Sequence, residues 1–123
     1  MIPKPLVKQV LERDEFECML GLPGCLRTAS CADHRANRGM GGSKALNAPQ
    51  NLVAACWYCN GRKEDSSGAE RAALIERGLI VLHDSSTSKT LERARQARVI
   101  DWRGRVWFLL PDGSRQGCYA PDW

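Results

Sequence analysis

The stretch DHRANRGMGGSKALNAPQNLVAACWYCNGRK, Asp33 to Lys63, decides how this chain is read. It begins with an acid beside one of the chain's two histidines and ends in a Cys-x-x-Cys. Between them lies a run rich in Gly, Asn and Pro. Such a run cannot hold a regular helix or strand, so residues 35–50 read as a long loop. Upstream, RTASCADH reads as a short strand ending near His34. Downstream, NLVAAC reads as a second short strand, and WYCNGRKED as a helix with Gly61 inside it. Taken alone, the histidine, the acid and the cysteine pair leave catalysis, zinc binding and ordinary surface chemistry all open.

Working outward, Cys18 and Cys25 form a second cysteine pair across the turn Gly-Leu-Pro-Gly. Two pairs on turns or at a helix start can close a tetrahedral four-thiolate site, so Cys18, Cys25, Cys56 and Cys59 are the expected zinc ligands. Bound metal would add to folding directly, which suits an N-terminal half poor in large apolar residues. A redox Cys-x-x-Cys would need a βαβ context that the pattern lacks. Cys31, inside the first strand, is the rival ligand. Cys118, near the C-terminus, reads as a packed or free thiol.

At 123 residues the chain reads as one domain, with a core half at 1–66 and an extension at 67–123. PLVKQVLERDEF carries a helical stripe at Leu6, Val7, Val10 and Leu11. AERAALIERG carries another at Ala69, Ala72, Ala73 and Ile75, stopped by Gly78. LIVL (79–82) reads as a strand, TSKTLERARQAR as a polar helix or a loop, and residues 98–114 as a hairpin turning at Arg103–Gly104. RQGCYAPDW gives no clear signal. The fold class expected is α+β.

Lysine and arginine outnumber acids 18 to 14, for a net charge of +4. Residues 1–66 hold nine of those 18 bases and seven of the 14 acids, so the excess is mild and even. It permits a nucleic-acid partner without demanding one. There is no apolar run long enough to span a bilayer and no secretory leader pattern, so the expectation is a non-secreted, cytoplasmic protein without membrane contact.

Asp33-His34, then Asn51, then Cys56-x-x-Cys59-Asn60-x-x-Lys63 resembles the HNH endonuclease family in its zinc-bearing form. HRANRGMGGS followed by NLVAAC is similar to small HNH proteins of bacteriophages. The resemblance spans about residues 13–65, and Asn60 stands where the family usually has histidine. It implies a ββα-metal core stapled by the four-cysteine zinc site, with an N-terminal helix and a C-terminal helix and β-hairpin added. It also implies hydrolysis of DNA phosphodiester bonds, including nicking of one strand per active site, inside a bacterial host if the gene is a phage's.

The chemistry gives each matched position a reason. An imidazole with a pKa of about 6.5 accepts a proton from water near neutral pH, so His34 is the expected general base. The resemblance makes Asp33 and Asn60 the ligands of a catalytic Mg2+ or Mn2+, which favours oxygen donors. Since neighbours on a strand point to opposite faces, a kink at the strand end would be needed for Asp33 and His34 to share one site. Asn51 is expected to tie down the long loop and orient the histidine. Glu64, one helical turn beyond Asn60, is a further candidate ligand. His83 reads as an exposed residue after a strand.

Arg35, Arg38, Lys44, Arg62 and Lys63 lie on or beside the loop and helix, where they would straddle a DNA backbone. GMGGSK looks like a phosphate loop but lacks its spacing. Trp102, Trp107, Phe108 and Tyr119 read as a hairpin packed on the helices. The second reading, from a different class, is a catalytically weak HNH-fold zinc protein serving as a DNA- or protein-binding adaptor among phage or host proteins.

Overall fold

A computed structural model of the chain describes residues 1–37 and 44–118, with the side chain of Cys118 excepted. Arg38, the glycine run and Tyr119 lie outside the described residues. The chain is mixed α+β. Helix α1 (Lys4–Arg13) precedes a two-stranded antiparallel ladder, β1 (Cys31–His34) and β2 (Leu52–Ala55), which runs on into α2 (Trp57–Glu64). Then come α3 (Gly68–Glu76), α4 (Thr87–Gln96) and a three-stranded antiparallel sheet of β3 (Val99–Ile100), β4 (Val106–Leu109) and β5 (Arg115–Cys118).

The register of the first ladder is unbroken from Cys31 opposite Ala55 to His34 opposite Leu52. Every residue of β2 is fully buried. Its alanines leave room for α1 to pack against both strands. Leu52, Val53, Leu74, Leu79, Val99 and Leu109 join one core, so residues on both sides of position 66 share it. Burying one such leucine contributes about 2 kcal/mol.

Between β1 and β2 the chain makes two single 3-10 turns, Lys44–Leu46 and Pro49–Asn51. Helix α3 buries Leu74 and leaves Ile75 at 37% exposure, so its inward face differs by one residue from the expected stripe. It stops at Gly78, whose φ is +73° and whose missing Cβ would lie 1.9 Å from the Arg98 carbonyl oxygen. No residue with a side chain fits there.

Two expectations need correction. Residues 79–82 are not a strand. Leu79, Ile80 and Val81 are buried, but the segment is tied by single bonds, such as Val81 N–H to the Arg35 carbonyl at 2.9 Å, rather than by a ladder. In the C-terminal part, Arg115–Cys118 is a strand that the sequence pattern missed. The hairpin turning at Arg103–Gly104 is present, with Ile100 opposite Val106. Trp107 packs on the core, and the guanidinium groups of Arg27 and Arg103 lie over the exposed Trp102 ring, 4.3 and 4.8 Å from its centre. Among the described residues no helix is long and apolar enough to cross a membrane.

Candidate functional site

The sulfurs of Cys18, Cys25, Cys56 and Cys59 all lie within 4.8 Å of one another. Those of Cys25 and Cys56 are 4.0 Å apart. Four thiolates around a zinc ion at about 2.3 Å stand about 3.8 Å from each other, so the cluster fits a tetrahedral thiolate-bound metal such as zinc. Cys56 is the N-cap of α2, and its sulfur accepts from the Cys59 backbone N–H at 3.3 Å. The Cys25 sulfur accepts from the Arg27 N–H at 3.2 Å. Backbone donors aimed at sulfur stabilise thiolates.

The tightness of the first cysteine loop depends on Gly24, whose φ is +92° and whose Cβ would meet the Tyr58 ring at 2.7 Å. Burial raises the Cys18 thiol to about 11. At Cys56 burial acts in the same direction, but bonds from Cys59, Leu26 and Cys18 outweigh it and bring the thiol to about 7. A bound cation would offset the burial that opposes ionisation at Cys18. Cys31 stands outside this cluster and donates to the Ala55 carbonyl at 3.2 Å.

Thus one metal-sized cluster pins the start of α2, and the rest of that helix lies over β1. Asn60 Nδ2 is 3.9 Å from the Cys31 sulfur. Three residues on, Lys63 Nζ donates to Asp33 Oδ2 at 2.6 Å and to the His34 carbonyl at 2.6 Å. Cys31 and Asp33 are two residues apart, so both project from the face of β1 turned to α2. Burial raises the Asp33 carboxyl above the usual carboxylate range, and the Lys63 ammonium offsets part of that rise. The position beside Asp33 therefore suits a cation, since an ammonium is already there.

His34 follows the alternation and leaves the strand in the other direction. Its Nε2 is 2.7 Å from Asn47 Oδ1. The ladder carries no bulge at Asp33–His34, so the anticipated kink is absent from it. Asp33 and Asn60 share one face, whereas the imidazole reaches toward the 3-10 turns.

Asn51 does tie the loop. Its Oδ1 accepts from Ala36 N–H at 2.8 Å, and its Nδ2 donates to the Ala36 and Leu46 carbonyls at 3.0 Å each. It closes a 3-10 turn rather than opening β2.

Two of the expected phosphate contacts are corrected by their surroundings. Arg35 is 1% exposed and donates to the carbonyls of Gly78, Gln50, Ala94 and Ala97 at 2.6–2.9 Å. Burial, with the Arg13 charge second, lowers it to about 9. Ala94 and Ala97 lie at the end of α4, so the guanidinium caps that helix. Lys63 is likewise buried, against Asp33. Arg62 pairs with Glu70 at 3.0 Å and is partly exposed, and Lys44 is exposed.

Sequence reasoning missed the carboxylate partner of Lys63, although Lys63 lies four residues from Cys59 and hence on the same face of α2. Also missed was the bond between His83 Nε2 and the Asn37 carbonyl at 2.5 Å, which brings the second histidine to the same loop. Lys63, Glu64, Arg71 and His83 line a cavity of about 140 Å³.

Over 62 residues the chain is 37% identical to the Gene 4 protein of Mycobacterium phage L5, a match covering 50% of this chain and 57% of that protein. The chain thus matches little more than half the length of that phage relative. No family model matches the chain, and no solved structure matches it.

Proposed function

We propose that the chain is a small metal-dependent nuclease of the HNH type that hydrolyses DNA phosphodiester bonds, with zinc on the four cysteines. The observation that carries the reading is the arrangement of β1, β2 and α2. An antiparallel pair ends in Asp33-His34, and the helix crossing it is anchored by the thiolate cluster and presents Asn60 and Lys63 to Asp33's face. Similarity to a phage protein agrees with the proposed bacteriophage setting.

In this reading Asp33 and Asn60 would hold Mg2+ or Mn2+, which would supply positive charge at the phosphoryl oxygens. Asn47 Nδ2 donates to the Met1 carbonyl, so its Oδ1 faces His34 and accepts from Nε2–H. In this reading His34 takes the proton from the attacking water. Water adds to phosphorus and the 3′ oxygen departs, giving 5′-phosphate and 3′-hydroxyl ends. Asn51 acts only by holding Ala36, two residues from the base. Plasmid relaxation in Mg2+ or Mn2+ tests the reading. Cleavage by the wild type and none by His34→Ala is expected, and equal cleavage by both rejects His34 as the base.

Two observations favour the adaptor reading. His34 leaves β1 on the face opposite Asp33 and Asn60, with no bulge in the ladder to bring them to one site. Asp33 is buried and already paired with Lys63, so its charge is spent inside the protein. DNA binding without cutting, under every divalent metal tried, would establish that alternative.

A further inference from the structure

We infer that the Lys63 ammonium is a resident counter-ion in the proposed metal seat, and that a divalent ion binds Asp33 only by displacing it. This rests on the nuclease reading above. Lys63 Nζ lies 2.6 Å from both Asp33 Oδ2 and the His34 carbonyl, and the paired side chains are only 4% and 5% exposed. A Mg2+ ion sits about 2.1 Å from its oxygen ligands. On either oxygen of that carboxylate it would stand close to the ammonium, and two cations on one buried carboxylate repel strongly.

The displaced ammonium has somewhere to go. Lys63 lines the cavity of about 140 Å³ that also has Glu64 on its wall. Glu64 is exposed, so meeting it there costs little desolvation. Arg71 and His83 stand on the same wall and leave Glu64 as the acid available to receive a cation. Cation exchange at Asp33 therefore moves one positive charge from the carboxylate toward the cavity as the metal arrives. The wild-type affinity for divalent ions is lowered by whatever the Asp33–Lys63 pair contributes.

The test is Mn2+ binding to the zinc-loaded full chain, read from the free-ion electron paramagnetic resonance signal, with no DNA present. Lys63→Met and Lys63→Gln remove the charge, and Lys63→Arg keeps it. Binding at least tenfold tighter in the two neutral variants, unchanged or weaker in Lys63→Arg, and lost in Asp33→Asn supports the inference. Thermal melting gives a second measure. The neutral variants should melt lower without Mn2+ and gain more than wild type when it is added. If wild type binds Mn2+ and the neutral variants bind no tighter, the role assigned to Lys63 is overturned while the nuclease reading stands. If neither wild type nor the neutral variants bind Mn2+, the inference also falls. Intact plasmid in both metals would then reject the nuclease reading separately.

Discussion

Asn51 and Ala36 exchange a pair of hydrogen bonds, with the amide oxygen accepting from the Ala36 N–H at 2.8 Å and the amide nitrogen donating to its carbonyl at 3.0 Å. A side chain thereby does the work of a strand partner just where the β1–β2 ladder has ended. Both groups are fully buried, so nothing else in the surroundings replaces those bonds.

Asn51→Ala should therefore destabilise the fold by about 2–4 kcal/mol, because three buried backbone groups lose their partner. Asn51→Asp should cost at least as much, since a carboxylate would face the Ala36 and Leu46 carbonyls. Urea unfolding of the zinc-loaded protein measures both. A loss of less than about 0.5 kcal/mol for Asn51→Ala would show that the loop is held by other contacts.

The thiolate cluster predicts a metal content of one ion per chain. Removing any one of Cys18, Cys25, Cys56 or Cys59 by serine should abolish tight zinc binding and most of the cooperative melt, because the ion would link the loop at residues 18–25 to the start of α2. Cys31→Ser should retain the metal, since that thiol bonds to the Ala55 carbonyl instead. Cobalt substitution reports this directly. Tetrahedral sulfur-to-cobalt absorption should survive in the Cys31 variant and vanish in the other four.

Arg35 carries a third prediction, and it bears on stability rather than on DNA. Its fork satisfies four carbonyls, two of them at the end of α4, and no carboxylate takes part. Arg35→Met should cost about 3 kcal/mol by leaving those acceptors unpaired in the interior. Arg35→Lys should recover only part of that, because one ammonium cannot reproduce the planar fork. In DNA titrations the neutral Arg35→Met should leave the salt dependence of binding unchanged. A lost phosphate contact would instead reduce the slope by about 0.9.

How much of this could be seen in the sequence depended on whether a residue's partner is itself written in residue letters. The cysteine cluster was legible because all four of its members are cysteines. The positions of β1, β2 and α2 were legible because Gly, Pro and Asn separate short runs of different period. Arg35 was misread because its partners are carbonyls from residues 50, 78, 94 and 97, which any residue can supply. Arg77 behaves likewise, donating to the carbonyls of Ile100, Leu20 and Met19. The run at 79–82 is apolar because it is buried, and burial without a neighbouring strand gives the same letters as a strand. Strand β5 was missed because Arg-Gln-Gly-Cys lacks β-branched residues. The better signal was Asp112-Gly113 in the turn before it, where Gly113 has φ +91° and Asp112 Oδ1 accepts from the Ser114 N–H.

Asp101 supplies the prediction on pH. It is 2% exposed, and its carboxylate accepts from the backbone N–H groups of Arg103 and Arg105, the Arg105 guanidinium and the Trp107 indole at 2.8–3.0 Å. Burial alone would raise its pKa, but the bonds from Trp107 and Arg105 outweigh burial and hold it below the usual carboxylate range. A carboxyl depressed in the folded state stabilises the fold above its unfolded pKa of about 3.9, and that contribution is lost as pH falls through the lower folded value. Asp101→Asn should therefore lower stability by about 1–3 kcal/mol at pH 7. It should also flatten the acid limb of the stability curve below about pH 4. Since acid also strips zinc from thiolates, the quantity that counts is the difference between wild type and variant at each pH, both prepared zinc-loaded and unfolded by urea under identical conditions. Parallel curves for the two proteins between pH 5 and pH 2 would mean that the carboxylate contributes nothing as a charge, and that the turn at Arg103–Gly104 is held by its backbone alone.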